Sequence, residues 1–381
     1  MRILFIIDKM KNYAGIERIL TCKMNYIARQ TSHDVYLMTY EQGKQPLPFP
    51  IDANIIHKSI DVMMPLRNEM TLFQWLKSYS AARHRFLHQF NSLIKEIRPD
   101  IVVSTVYSYQ VLDIIINTCH KKDIKTVMES HTQGETVTLS HKFEYNKYLF
   151  RLFTLWDYHI TRSLRHCNCV VTLTNQDVPF WHNYAKRTEV IPNMLTISPK
   201  RVTNYNAKRV ISAGRYMSEK GFDMLIEAWS MLPEELNDWH LYIFGNGERS
   251  TYQELVDQYH MQDTIHLMPA TKDIAEEFSK SSLYVMSSRY EGFGLVLAEA
   301  MSCGLPCVSF DCPYGPREII RDGKDGLMAK HKDVEDLARK LSQLMSDKEL
   351  RQSMGEQAIK NIARYESQTI MNQWINLFET L

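Results

Sequence analysis

No stretch of this 381-residue chain approaches about 18 consecutive apolar residues, so a membrane-spanning helix is not expected. The opening run RILFIID (residues 2–8) is too short for the apolar core of a secretory signal and stops at a charge, so it reads as a first strand. Cysteine is sparse and odd in number, seven in all. The pairs Cys167/Cys169 and Cys303/Cys307 lack the C-x2-C spacing of a zinc site. Small buried thiols are expected instead, with no disulfide framework, no metal and a cytoplasmic setting. The Walker pattern, G-x-G-x-x-G and Asp-x-Asp are also missing. Their absence argues against P-loop chemistry, nicotinamide or flavin binding and a carboxylate pair holding a divalent ion on a nucleotide. No repeat or low-complexity tract stands out.

The net charge of +1 conceals an asymmetry. Residues 1–198 carry 24 basic and 17 acidic side chains, whereas residues 199–381 carry 21 and 27. A basic first half suits an anionic partner, unless the split is chance. Two helical stretches there, FQWLKSYSAARHRFLHQF (73–90) and KFEYNKYLFRLFTLWDYHITRSLRH (142–166), interleave cations with aromatics. That pattern suits an anionic bilayer surface, and equally ordinary packing with snorkelling cations. No nucleic-acid recognition module is present, so nucleic acid is not an expected partner.

Short apolar runs alternate with helical patterns along most of the chain. Strands are expected at 2–8, 34–41, 54–60, 100–106, 125–130 and 169–174, with helices at 16–30, 71–97, 109–121 and 143–166. The rhythm restarts with strands at 208–213, 239–244, 264–268, 283–287 and 306–310 and helices at 221–231, 248–260, 271–281 and 294–303. Near-continuous apolar strands separated by helices indicate parallel sheets covered on both faces. The polar segment 189–207 reads as a linker, and the tail from 333 is helical, with Ile370, Trp374 and Leu377 near one face. The fold class is therefore α/β, two doubly wound domains facing across a cleft. Ligands are expected outside the carboxyl ends of the strands.

Five motifs fall at such strand ends. In EGFGLVLAEAMSCGLPCVSF, Glu291 lies in a loop and Glu299 inside a nearly all-apolar helix closed by Gly304. A buried carboxylate needs a protein partner, a proton or a ligand's donors. A helix starting near Gly294 would offer amides and a positive dipole end to a phosphate, with Glu299 about 7.5 Å further on, the offset of a ribose from a diphosphate. In SAGRYMSEKG, Arg215 and Lys220 make a plausible diphosphate clamp or two solvated surface cations. Gly245 and Gly247 in FGNGE suit a close backbone approach or a tight turn. In the first half, Gly15 sits at a helix entrance, and His131 in TVMESHTQG ends a strand as a structural, hydrogen-bonding or proton-handling group.

Together these residues resemble the retaining, nucleotide-sugar-dependent glycosyltransferases of family 4, with the GT-B fold, over essentially the whole chain. The most specific part is Glu291-Gly-Phe-Gly-Leu…Glu299-Ala-Met-Ser-Cys-Gly, supported by Gly214-Arg215…Lys220-Gly221, Val190-Ile-Pro-Asn193 and Asp322-Gly-Lys-Asp-Gly326. The resemblance implies Rossmann-like domains at 1–195 (acceptor) and 196–366 (nucleotide sugar), with a helix at 367–381 returning to the first. It implies that Arg215 and Lys220 neutralise the leaving diphosphate, that Glu299 holds the ribose and that Glu291 contacts the donor sugar. Backbone of Phe293, Gly294 and Leu295, together with Gly214 and Gly245, would line the donor. His131 would lie beside the donor sugar and Gly15 would let the first loop approach it. The implied substrates are a nucleotide sugar, UDP-linked, and a saccharide or lipid-linked saccharide at the inner face of the cytoplasmic membrane. No metal or other cofactor is implied.

The chain departs from the family in having Ala14 before Gly15, Asn246 between Gly245 and Gly247, and Met268-Pro269-Ala270 where a glycine is frequent. The loop from Phe310 to Arg317 resembles bacterial members that build surface polysaccharides or lipid-linked oligosaccharides. A sugar-nucleotide epimerase of the same fold and a non-catalytic sugar-nucleotide-binding subunit remain as alternatives.

Overall fold

The structure, a computed structural model, describes the chain except residues 12, 66–69, 106–110, 132–133, 135–157, 159–160 and 198–202. It divides into two compact units, Met1–Pro192 together with Met371–Leu381, and Asn193–Ile370.

The first unit is built on seven parallel strands: β1 (Arg2–Ile7), β2 (Asp34–Thr39), β3 (Ile56–Ser59), β4 (Ile101–Ser104), β5 (Lys125–Ser130), β6 (Cys169–Thr172) and β7 (Thr188–Val190). Their order is β3-β2-β1-β4-β5-β6-β7. Ile3 to Ile7 of β1 and all of β4 and β6 are buried, as strands covered on both faces must be. The helix Leu72–Ile97 starts at a capping box in which Thr71 and Gln74 satisfy each other's backbone amides. It lays Ala82, Phe86, Phe90, Leu93 and Ile97 into a core shared with Tyr40 of the β2 loop. Of the cation-and-aromatic stretch at 142–166, residues 142–157 and 159–160 lie outside the described residues.

The second unit has six parallel strands: β8 (Arg209–Ala213), β9 (His240–Gly245), β10 (Ile265–Pro269), β11 (Leu283–Met286), β12 (Cys307–Phe310) and β13 (Gly326–Ala329). They run β10-β9-β8-β11-β12-β13. In each sheet the order reverses beside the unit's first strand, between β1 and β4 and between β8 and β11.

Two edge strands depart from the sequence reading. Glu189 and Val190, expected in the linker, pair with β6 as part of β7. A three-residue strand with only half-buried side chains leaves no apolar run to notice. Likewise β13, four residues opening on Gly326, gives too short a pattern to register. The helical tail is as expected: Val334–Ser346 and Lys348–Ile362, capped by Asp333 and Asp347, then Ser367–Glu379. Ile370, Trp374 and Leu377 are all buried, with Met371 and Phe378 beside them. Replacing Trp374 by alanine is expected to cost about 3–5 kcal/mol, the usual loss for a buried large aromatic. Calorimetric unfolding checks this, and a loss under about 1 kcal/mol would mean that the tail packs loosely.

Candidate active site

The loops leaving β8, β9 and β11 are tied to one another at the carboxyl ends of the strands. Gly214 and Tyr216 donate to the carbonyls of Phe244 and Asn246 at 3.0 and 2.8 Å. A methyl group at Gly245 would fall 1.9 Å from the Gly214 carbonyl oxygen, so only glycine admits this approach. The sequence residues Gly214 and Gly245 are therefore in contact.

Across the switch point, Ser287 donates to the Lys220 carbonyl at 2.9 Å and the Arg289 amide to the Glu219 carbonyl at 2.8 Å. The Arg289 guanidinium forks onto Asp223 at 2.9 and 2.6 Å. Burial raises the Asp223 carboxyl, but the hydrogen bonds and charge of Arg289 outweigh it and leave it below its usual range. This clamp fixes where Lys220 emerges. Its ammonium reaches Glu291 Oε1 at 2.7 Å, and the Ser288 hydroxyl donates to the same oxygen at 2.6 Å. Oε2 of Glu291 accepts no hydrogen bond among the described residues. The sequence placed Lys220 with Arg215, whereas the structure joins Lys220 to Glu291. Arg215, 63% exposed in its side chain, pairs with Glu219 at 2.8 Å within its own loop. An exposed pair of that kind is worth about 0–1 kcal/mol and yields readily to an anionic ligand.

Beyond Glu291 the chain turns through Phe293 and Gly294 into the helix Leu295–Ser302. Gly294 has φ 92°, in the left-handed region that L side chains avoid. The first amides of that helix lack intrahelical acceptors, which makes the turn suited to phosphate. Phe293 meets Tyr365 edge to face at 5.3 Å. Glu299, 2% exposed, accepts from the Thr196 hydroxyl. Thr196 thus supplies the kind of donor that a ribose hydroxyl would supply. Ser288, Arg289, Asp223 and Thr196 were not singled out in the sequence, although Ser288 and Arg289 stand in the loop next to Glu291.

In the first unit, Gly15 opens the helix Gly15–Gln30 after the β1 loop. His131 follows β5 directly and is buried. Behind it, the Lys23 ammonium is bonded to Glu129 Oε1 and covered by the ring of Trp374, 3.7 Å from its centroid. His131 Nε2 lies 3.7 Å from the same carboxylate oxygen. Burial lowers the Lys23 ammonium below the ordinary lysine value, and Glu129 holds it up in part. Burial, then the charge of Lys23, pushes the His131 imidazole down to about 3. His131 is neutral at neutral pH, which suits hydrogen bonding rather than proton exchange. Among the described residues no group of three or more His, Cys, Asp or Glu is placed to hold a metal ion.

Residues 194–361 match the model of the family described as glycosyl transferases group 1. An uncharacterised glycosyltransferase of Haemophilus influenzae is 27% identical over 97% of this chain and 98% of its own. The amylovoran biosynthesis glycosyltransferase AmsD of Erwinia amylovora is 24% identical over 98% of both. In fold, the chain is similar to sucrose-phosphate synthase from Thermosynechococcus elongatus, with TM-score 0.79 and 16% identity over 100% and 98% of the two chains. It is also similar to Anabaena HepE in complex with UDP and glucose, with TM-score 0.70 and 16% identity over 100% of both.

The buried pair gives a stability test. Lys23→Met strands a buried carboxylate and is expected to cost about 3–5 kcal/mol, most of which returns in Lys23→Met/Glu129→Leu. Urea unfolding of the three proteins decides this; a double variant no better than the single would remove the ion-pair account. His131 gives a pH test. A ring neutral down to about 3 in the folded chain but titrating near 6.5 when unfolded makes stability fall as pH drops from 6.5 toward 3. Its NMR signals should hold their neutral positions from about pH 8 to about pH 5, where an ordinary histidine has already titrated. A midpoint near 6.5 would contradict the environment described.

Proposed function

We propose that the chain, whose residues 194–361 match the group 1 glycosyl transferase family, moves a hexose or N-acetylhexosamine from a UDP-sugar to a saccharide acceptor with retention at the anomeric carbon. The observation that carries this reading is the convergence of Lys220, Glu291 and the Gly294 turn where the second sheet reverses its strand order. That is where an open parallel sheet takes its ligand. The UDP and glucose in HepE, a protein of the same fold, are consistent with it.

In this reading the diphosphate lies against the amides at Gly294 and Leu295, with Arg215 leaving Glu219 and Lys220 turning to meet it. Glu299 takes the ribose, and the Glu291 Oε2 edge faces the sugar hydroxyls. The bond between the anomeric carbon and the phosphate oxygen breaks with its electron pair going to phosphate, where the two cations and the helix end stabilise the charge. The acceptor oxygen bonds the same carbon from the same face, and its proton passes to the departing phosphate oxygen. Within the first unit, Gly15 opens the helix after the β1 loop and neutral His131 is suited to serve as a hydrogen-bonding group.

The acceptor in this proposal is a lipid-linked saccharide of a bacterial polysaccharide pathway, met at the inner face of the cytoplasmic membrane. The basic first half supports that placement, as do the exposed Phe73 and Leu76 on the helix Leu72–Ile97. Among the described residues no helix is long and apolar enough to cross a membrane, so contact would be peripheral.

Thermal-shift binding with UDP, GDP and ADP tests the donor assignment. UDP should stabilise the chain selectively, and Glu299→Ala should abolish the shift. Arg215→Ala should lower kcat by about 10²–10³-fold, the effect of removing one preorganised charge stabiliser. No nucleotide response at millimolar concentration, or unchanged turnover in Arg215→Ala, would remove the proposal.

A further inference from the structure

The helix Leu295–Ser302 carries two features of the candidate site, the Gly294 turn at its start and Glu299 within it. Binding groups keep a productive geometry only when neighbouring residues lock them in place. For this helix the lock is one residue, Tyr365, in the single 3₁₀ turn Ala363–Tyr365 that precedes the closing helix Ser367–Glu379.

Tyr365 is buried, and its ring stands at 90° to that of Phe293, the residue before Gly294. In that arrangement the positive edge of one ring meets the negative face of the other. The Tyr365 hydroxyl donates to the Glu318 carbonyl at 2.7 Å, which fixes the ring in its plane. Arg364 donates to the same carbonyl at 2.6 Å and to that of Ile319 at 3.0 Å, with its guanidinium 4.5 Å from the Tyr365 ring centroid. The short helix Pro316–Ile319, secured in this way, backs the same turn. A methyl group on Gly315 would fall 2.1 Å from the Phe293 carbonyl oxygen, and Ile319 lies 3.6 Å from where one on Gly294 would stand.

Glu299 is reached from the same residue through the main chain. The Tyr365 carbonyl accepts from the Leu195 amide at 2.9 Å, and the Ser367 hydroxyl donates to the Leu195 carbonyl at 3.3 Å. Thr196, next along the chain, donates to Glu299. The side chain of Tyr365 therefore serves the turn, and its backbone serves the segment beside the buried carboxylate. A substitution at 365 alters the first contact and leaves the atoms of the second in place.

We propose, on the donor assignment made above, that Tyr365 is a positioning residue for the nucleoside diphosphate. Its ring sets Phe293, and with it the amides at Gly294 and Leu295, against the diphosphate, while its carbonyl holds Leu195 and Thr196 beside Glu299. Tyr365 itself touches no ligand. Its side chain acts on the phosphate part of the donor and not on the nucleoside.

Calorimetric titration of the full chain with UDP, and with uridine followed by its displacement of UDP, tests this. Tyr365→Leu should weaken UDP by about three- to tenfold, the worth of one edge-to-face ring pair, and uridine by less than about twofold. Tyr365→Phe keeps the ring and should stay within about twofold of the unaltered chain for both ligands. Phe293→Leu removes the same pair from the other side and should give the same loss, with no further loss in Phe293→Leu/Tyr365→Leu. Equal weakening of UDP and uridine would overturn the assignment, because a general loosening of the fold acts on both alike. So would Tyr365→Phe as weak as Tyr365→Leu, or additive losses in the double variant. An unaltered chain that binds neither ligand removes the donor assignment and this one with it. A chain that binds UDP but is indifferent to Tyr365→Leu removes this one alone.

Discussion

The site in the second unit depends on the clamp across its switch point. A parallel sheet delivers its loops to one end, but delivery alone leaves a lysine on a loop free to sample many positions. Here the β11 loop grips the β8 loop through Ser287 and Arg289, and Asp223 fixes Arg289 from the following helix. The backbone around Lys220 is set before its side chain makes any contact. Lys220 and Ser288 then converge on one oxygen of Glu291. What would otherwise be two solvated charges becomes a positioned cation beside a positioned carboxylate.

Much of this fold was legible because its central strands are buried on both faces and flanked by helices of ordinary length. The edges were not legible. β7 and β13 are short and owe their existence to a neighbour's free edge, not to their own pattern. The same division runs through the site. Gly294, Glu299 and the cations of the β8 loop could be placed because they stand at fixed offsets from strands and helix starts. That Lys220 meets Glu291, 71 residues away, could not be read locally, because it follows from β8 and β11 being neighbours.

Lys23 carried a signal that was open to reading. Ile19, Lys23 and Ile27 recur every four residues along one helix face, so the lysine falls in the middle of the buried stripe. Glu129 stands in the same way inside a continuously buried strand. Two opposite charges in two apolar contexts point to each other, and their sequence separation of 106 does not weaken the inference. Trp374 completes the enclosure from a helix that begins in the second unit and ends in the first.

The two ion pairs differ in a way that separates architecture from chemistry. Both side chains of Lys23–Glu129 are 2% exposed, and parting them would leave a buried charge unmet at a cost of about 3–5 kcal/mol. No modest ligand contact can draw on that pair, and the charge of Lys23 adds to the burial that keeps His131 neutral. Lys220 and Glu291 are 21% and 13% exposed. Water already screens them, and a phosphate arriving beside the Gly294 turn can take over the cation without stranding the carboxylate, which keeps Ser288. Exposure thus decides which pair can exchange partners. It assigns rigidity to the first unit's pair and ligand exchange to the second's, from the same two kinds of charged group.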